Sequence, residues 1–164
     1  MDVNEDSIKK LSVDDFFVYK AAIYTLLLEN YRINLPKIHN ICNYTDERIR
    51  KLESFLRDGS AFVFGFIPDK ELKGFVWAYK IQIEDKILMH ITEFAVSSDY
   101  QRKGVGHSLF QFLEREAQAE LGCIGFELVV SVSNEGAVNF YKNIGFKIER
   151  FVMRKSVSSA IINE

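Results

Sequence analysis

Cysteine and proline are scarce in this chain, with two of each in 164 residues. Cys42 and Cys123 are far apart, have no metal-ligand spacing and form no disulfide framework, so both read as reduced thiols. His39, His90 and His107 are scattered, without an H-x-x-x-H pair, and no metal site is expected. No uninterrupted apolar run reaches the length of about 18 residues that a membrane span needs, so no membrane partner is expected. The acidic, polar start Met1-Asp2-Val3-Asn4-Glu5-Asp6 resembles neither a secretory signal nor a transit peptide, which points to a cytoplasmic protein. A basic excess is missing too: 21 Lys and Arg against 23 Asp and Glu leave a net charge of −2, which argues against nucleic acid as a partner. Two phosphate-binding signatures are absent. There is no G-x-x-x-x-G-K-[ST], and a dinucleotide fingerprint would need a third glycine near Leu109.

What is present suits one domain over residues 1–164 with one packed core. Hydrophobic residues make up 48% of the chain, including 14 Phe and 7 Tyr. No repeat, low-complexity tract or linker marks a second unit. Residues 7–11 read as a short strand. Ser12 with Asp15 reads as a helix start, the helix running to near Glu29 and broken at Asn34-Leu35-Pro36. A second helix is expected after Thr45, with Ile49, Leu52, Phe55 and Leu56 as its apolar stripe and Asp58-Gly59 at its end. Three strands follow as an antiparallel meander over 60–67, 72–83 and 87–96. In the second, Phe75, Trp77, Tyr79, Ile81 and Ile83 share a face. A helix with Val105, Leu109, Phe112, Leu113 and Ala117 at helical spacing leads to a strand over 124–132. The next helix covers 134–144, and two last strands are expected at 146–149 and 151–157, with a frayed tail from Ser158.

The most informative segment is Gln101-Arg102-Lys103-Gly104-Val105-Gly106, a glycine-bearing turn between a strand and a helix. Such a helix start points free N–H groups and the positive dipole end at an anion, and glycine lets that anion come close. About thirty residues on, with room for one helix and one strand, lies Asn134-Glu135-Gly136-Ala137-Val138-Asn139-Phe140-Tyr141-Lys142-Asn143-Ile144-Gly145-Phe146. Together the two segments resemble the GNAT superfamily of N-acetyltransferases. The matching residues are Gln101, Gly104 and Gly106, then Asn134, Ala137, Phe140, Tyr141, Gly145 and Phe146. The likeness is specific from about Ile91 to Phe146. It implies an α+β GNAT fold: a mixed, mostly antiparallel sheet of about seven strands with helices on both faces. It also implies acetyl-CoA as cosubstrate, an amine as acceptor, and a homodimer as one possible assembly.

Acetyl transfer to an amine needs a proton acceptor for the amine, a donor for the tetrahedral oxyanion and an acid for the departing thiolate. Glu93 is the first candidate, set in Met89-His90-Ile91-Thr92-Glu93-Phe94-Ala95-Val96 and expected to share a strand face with Met89, Ile91 and Ala95. It reads as general base or as ligand of the acceptor amine. A carboxylate in such surroundings has its pKa raised. Tyr141 is the second, as the acid that protonates the CoA sulfur in family members, or as a core residue of an apolar stripe. The oxyanion donor is expected to be a backbone N–H near Ala95 or Val96, and Phe94, Ala95 and Val96 are expected to pair with the pantetheine amides. Arg102, Lys103 and Val105 complete the pyrophosphate turn with Gln101, Gly104 and Gly106. Asn134 matches a pantetheine contact and also reads as a helix cap. An acyl-CoA-binding sensor or scaffold without turnover is the alternative function.

Overall fold

A computed structural model describes residues 3–35, 37–150, 152, 153 and 155. After a single 3-10 turn, β1 (Ile8–Lys10) leads to α1 (Val13–Asn34). Ser12 and Asp15 form a reciprocal cap at its start. The helix runs on well past Glu29, because Tyr31 continues the buried stripe of Ile23 and Leu27. Pro36, assigned above to the break, lies outside the described residues. Helix α2 (Ile41–Arg57) begins earlier than expected. Asn40 caps it by accepting the Asn43 N–H at 3.1 Å, and the Thr45 hydroxyl turns back to the Ile41 carbonyl at 2.8 Å.

The meander then forms as β2 (Ala61–Phe66), β3 (Gly74–Ile83) and β4 (Lys86–Val96), followed by α3 (Val105–Leu121), β5 (Gly125–Leu128) and α4 (Glu135–Asn143). The sheet order is β1-β2-β3-β4-β5, antiparallel except for the parallel pair β4 and β5. Among the described residues there are five strands, not about seven. Residues 146–150 form no strand. Gly145, at φ +99°, turns the chain, and Phe146 sends its ring onto Phe110 and Tyr141 while the following residues stay exposed. The strand expected at 151–157 falls largely outside the described residues, and the tail from Ser158 falls wholly outside them. Strand β5 is also shorter than expected. Past Leu128, Val129 and Val132 are each 81% exposed, and Ser131 and Ser133 bond to one another at 2.7 Å. Local hydroxyl bonds of this kind compete with a strand ladder.

Two cores sandwich the sheet. Phe64, Val76, Met89 and Ile91 pack on Leu109 and Leu113 of α3. On the other face Val63, Phe75, Trp77 and Ala95 pack on Phe16, Ile23 and Leu27 of α1 and on Leu52 of α2. One irregularity decides where the polar residues go. In the ladder between β3 and β4, Ala78 pairs with Ile91 but Trp77 pairs with Glu93, so Thr92 is an extra residue in β4. Such a bulge breaks the alternation of side chains. Met89 and Ile91 therefore face α3, while Glu93 and Ala95 face α1 and α2. The expected shared face of Met89, Ile91 and Glu93 is corrected by that single residue.

Leu52 is fully buried and ties α2 to the sheet beside this bulge. Leu52→Ala is expected to lower unfolding stability by about 2–5 kcal/mol, read from urea midpoints at constant slope.

Candidate active site

Strands β4 and β5 pair only from Leu88 and Gly125 to Ile91 and Leu128, and β4 continues unpaired on that side to Val96. The separation begins at the bulge and leaves a slot. Ser97 N–H donates to the Lys73 carbonyl at 2.8 Å. Alternation along the antiparallel ladder then directs the backbone groups of Ala95 at β3 and those of Phe94 and Val96 at the slot. Of the two expected oxyanion donors, Val96 has its N–H on the open side and Ala95 does not. The Phe94 side chain turns the other way, its ring 5.6 Å from Phe140 and 6.4 Å from Tyr141, which fixes α4 against β4.

Glu93 points toward α1 and α2 and is 6% exposed. Its Oε1 accepts two hydrogen bonds, from the Tyr31 hydroxyl at 2.5 Å and from Arg48 Nε at 2.7 Å, and Arg48 Nη2 makes an ion-pair contact with the same oxygen at 2.6 Å. Arg48 Nη2 also donates to Thr92 Oγ1 at 2.6 Å. Oε2 has no hydrogen-bond partner among the described residues. Burial pushes the Glu93 carboxyl above its ordinary value, while Arg48 and Tyr31 pull it back without cancelling the rise. Arg48 is held above its own ordinary value: burial works against its charge and Glu93 more than offsets that. The Arg48 guanidinium lies 5.4 Å from the ring centroid of Trp77, the residue paired with Glu93 across the sheet. The Trp77 Nε1 is sealed without a partner, the one such side-chain atom among the described residues.

Tyr141 is half-buried on α4 among Phe94, Phe140 and Phe146. Burial, then the charge of Glu93, raise its phenol well above the ordinary value, so it stays protonated at neutral pH. Its ring lies 6.4 Å from that of Phe94, the residue next to Glu93. At the slot's end, Arg102 at φ +58° and Gly104 at φ +85° fold the turn back on itself. Gly104 is the N-cap of α3 and offers no side-chain cap, so the first N–H groups of the helix are left for an anion. Arg102 and Lys103 are exposed beside them.

The remaining motif residues have framework contacts. Gln101 Nε2 donates to the Val96 carbonyl at 2.9 Å and holds the strand end. The Val105 side chain is in the α3 core. A Cβ on Gly106 would meet the Phe140 ring at 3.3 Å, so its missing side chain serves helix packing rather than anion approach. Asn134 Oδ1 accepts the Ala137 N–H at 3.1 Å, the capping role.

Arg48, Tyr31 and Thr92 were not singled out from the sequence. Arg48 left a signal, since Thr45, Arg48, Ile49 and Leu52 stand at i, i+3, i+4 and i+7 and three of them are buried. A charged residue inside a buried stripe demands a partner. Tyr31 was lost because the first helix was ended too soon. Thr92 gave no signal, because no residue pattern marks the bulge. Among the described residues, no helix is long and apolar enough to cross a membrane, and no group of three His, Cys, Asp or Glu side chains could hold a metal.

A slot lined by strand N–H groups, ending at an uncapped helix start, suits an extended ligand with a phosphate at one end. The model of the acetyltransferase (GNAT) family matches residues 20–146, and the chain belongs to that family. The family, the α+β fold class and the enzyme class, an acetyltransferase, are those expected from the two motifs. An N-alpha-acetyltransferase of Sulfurisphaera tokodaii is 36% identical over 58 residues, a stretch that spans only 35% of this chain and 35% of that relative. An aminoglycoside acetyltransferase from an uncultured soil metagenomic sample, solved with trehalose, superposes with a TM-score of 0.69 at 18% identity, over 92% of this chain and 94% of its own. A ribosomal-protein-alanine N-acetyltransferase from Brucella melitensis biovar Abortus 2308 gives 0.64 at 21% identity, over 91% and 98%. At these identities the structures show a shared fold.

Arg48→Met leaves Glu93 buried without its cation, a loss of about 3–5 kcal/mol at neutral pH. The folded pKa of Glu93, already raised, rises further in this variant. Between its unfolded and folded values the native state then holds the extra proton, so stability falls as pH rises. The deficit against wild type is therefore expected to shrink on acidification toward the ordinary carboxylate range, measured by chemical denaturation across pH.

Proposed function

We propose that this protein is an acetyl-CoA-dependent N-acetyltransferase that acetylates a primary amine by direct attack in a ternary complex. The observation that carries this reading is the gap opened where β4 runs on unpaired past the bulge, with the buried Glu93 carboxylate on the α1–α2 side of that strand and the Tyr141 phenol on α4. Acetyl-CoA fits as the donor. Its pantetheine amides would pair with the outward backbone groups of Phe94 and Val96, as an added strand. Its pyrophosphate would meet the N–H groups at the start of α3, with Arg102 and Lys103 adding charge.

The amine enters as its ammonium form and hydrogen-bonds to Glu93 Oε2, which takes the proton. The freed lone pair attacks the thioester carbonyl carbon, forming the C–N bond and placing negative charge on the carbonyl oxygen. The Val96 N–H receives that oxyanion. The C–S bond then breaks, and the Tyr141 hydroxyl gives its proton to the departing sulfur. The second proton of the acylated nitrogen passes through water to Tyr141, and Glu93 releases its own proton to solvent as the product leaves. The acceptor approaches from the side of α1 and α2, where Glu93 is held, and the facing ends of those two helices border its path. The amines named for the relatives above, aminoglycosides and N-terminal α-amines, are the first acceptors to try.

Two outcomes test this reading. Release of free CoA with an alanyl peptide, an aminoglycoside or a simple alkylamine is expected for at least one of them. In Tyr141→Phe, kcat should drop by about 10²–10⁴-fold with acetyl-CoA affinity unchanged. Wild-type kcat in that variant, where chemistry limits the rate, returns Tyr141 to packing alone. Acetyl-CoA binding with no turnover on any amine favours a sensor or scaffold. Lys103→Glu is expected to weaken acetyl-CoA binding, by calorimetry, and to reduce its dependence on salt. Unchanged affinity removes Lys103 from the phosphate site.

A further inference from the structure

We propose that Arg48 is a positioning residue for acetyl transfer: it clamps both residues of the β4 bulge and so presents Glu93 to the acceptor through Oε2 alone. This rests on the reading of Glu93 as the group that receives the amine proton. Arg48 Nε donates to Glu93 Oε1 at 2.7 Å while Nη2 donates to Thr92 Oγ1 at 2.6 Å and lies 2.6 Å from Oε1 as an ion-pair contact. The planar fork makes these contacts together from one side chain, which a single ammonium on a flexible stem does not. With the Tyr31 hydroxyl also on Oε1, the carboxylate cannot rotate without breaking both hydrogen bonds and the ion-pair contact. Oε2 is left as the acceptor.

The Arg48 side chain is itself fixed. It is 18% exposed, and its guanidinium sits beside the buried Trp77 ring. Tyr31, on the other side of Glu93, is held edge-on by Tyr44 at 5.0 Å. The titratable and charged groups around Glu93 are Tyr31 of α1, Arg48 and Lys51 of α2, and Tyr141 of α4, with Tyr44 behind Tyr31. Of these, Arg48 is the cation in contact. Removing it takes away the charge that opposes burial, so Glu93 keeps its proton to higher pH. The acidic limb of kcat/KM, where Glu93 must be deprotonated, then moves up in pH.

The test compares Arg48→Met, Arg48→Lys, Glu93→Gln and the double variant Arg48→Met/Glu93→Gln, with an amine that turns over in the panel above. Acetyl-CoA affinity by calorimetry reports the folded site. Arg48→Met is expected to retain acetyl-CoA affinity, lose about 10–100-fold in kcat/KM and shift its acidic limb to higher pH. The double variant should be no slower than Glu93→Gln, because the clamp acts through that carboxylate. Arg48→Lys keeps a cation and should hold the limb near wild type while kcat/KM falls, and it carries the test if Arg48→Met does not fold. A structural tie alone would lower the folded fraction and leave the limb in place. Wild-type kcat/KM in Arg48→Lys, an unmoved limb in folded Arg48→Met, or losses that multiply in the double variant overturn the proposal. Wild-type turnover in Glu93→Gln overturns the reading of Glu93 and this proposal with it. A slow Glu93→Gln beside a normal Arg48→Met overturns the Arg48 role alone.

Discussion

One extra residue in β4 governs the architecture around the site. Thr92 breaks the side-chain alternation, so the odd-numbered side chains face α3 before it (Met89, Ile91) and α1 with α2 after it (Glu93, Ala95). The ladder to β5 ends at the same level, which leaves Phe94 and Val96 with backbone groups directed into a slot. A bulge thus does two things with one insertion: it turns a carboxylate to a chosen face and opens the sheet beside it. The turned carboxylate then constrains the helices. A buried Glu is strongly unfavourable unless it is paired and hydrogen-bonded. Arg48 from α2 and Tyr31 from α1 meet that demand on a single oxygen. The two N-terminal helices are therefore held by the polar cluster as well as by Leu27, Leu52 and Phe75.

Much of the frame was legible because period and caps are local signals. The Ser12 cap and the stripe of α3 formed where the residues pointed, and in β3 Phe75 and Trp77 share the expected face while Ile83 at the strand's end is exposed. The misplaced boundaries have local causes too. Asn40 is a cap with no acidic partner three residues on, so the start of α2 was read at Thr45. The run from Ile124 to Val132 looks like a strand, yet its second half bonds to its own serines. The bulge is a different kind of miss. Met89, Ile91, Glu93 and Ala95 alternate without a break in the sequence, and β4 shows no glycine or proline to mark the turn-over. Only the partner strand reveals that the count changes.

The motif residues divide into framework and rim. Gln101 ties the turn to the Val96 carbonyl, Asn134 caps α4, Gly106 admits the Phe140 ring, and Val105 plugs the core. Each of these contacts shapes the slot without facing it through its side chain. That explains why such residues were readable as a pattern while their jobs were not. A spacing encodes the geometry that several elements must share, whereas the duty of each side chain depends on a neighbour from elsewhere in the chain. Arg48 makes the same point from the other side. It belongs to no motif, and its placement in a buried stripe is what exposes its importance.

The two titrating rims of the slot are electrostatically linked. The Tyr141 phenol is raised first by burial and then by the negative charge of Glu93. While Glu93 is ionised, that charge disfavours a phenolate and keeps the acid loaded. In the proposed reaction the amine's proton arrives on Glu93 before the sulfur departs. Neutralising Glu93 removes its contribution to the raised phenol, so Tyr141 becomes a better acid after the carboxylate has acted as base. The order follows from charge alone and needs no movement of either side chain. Arg48 limits how far this coupling reaches, since a cation on Oε1 offsets part of the field that Tyr141 feels. In the proposed mechanism Arg48 would therefore also set how strongly Glu93 and Tyr141 sense one another.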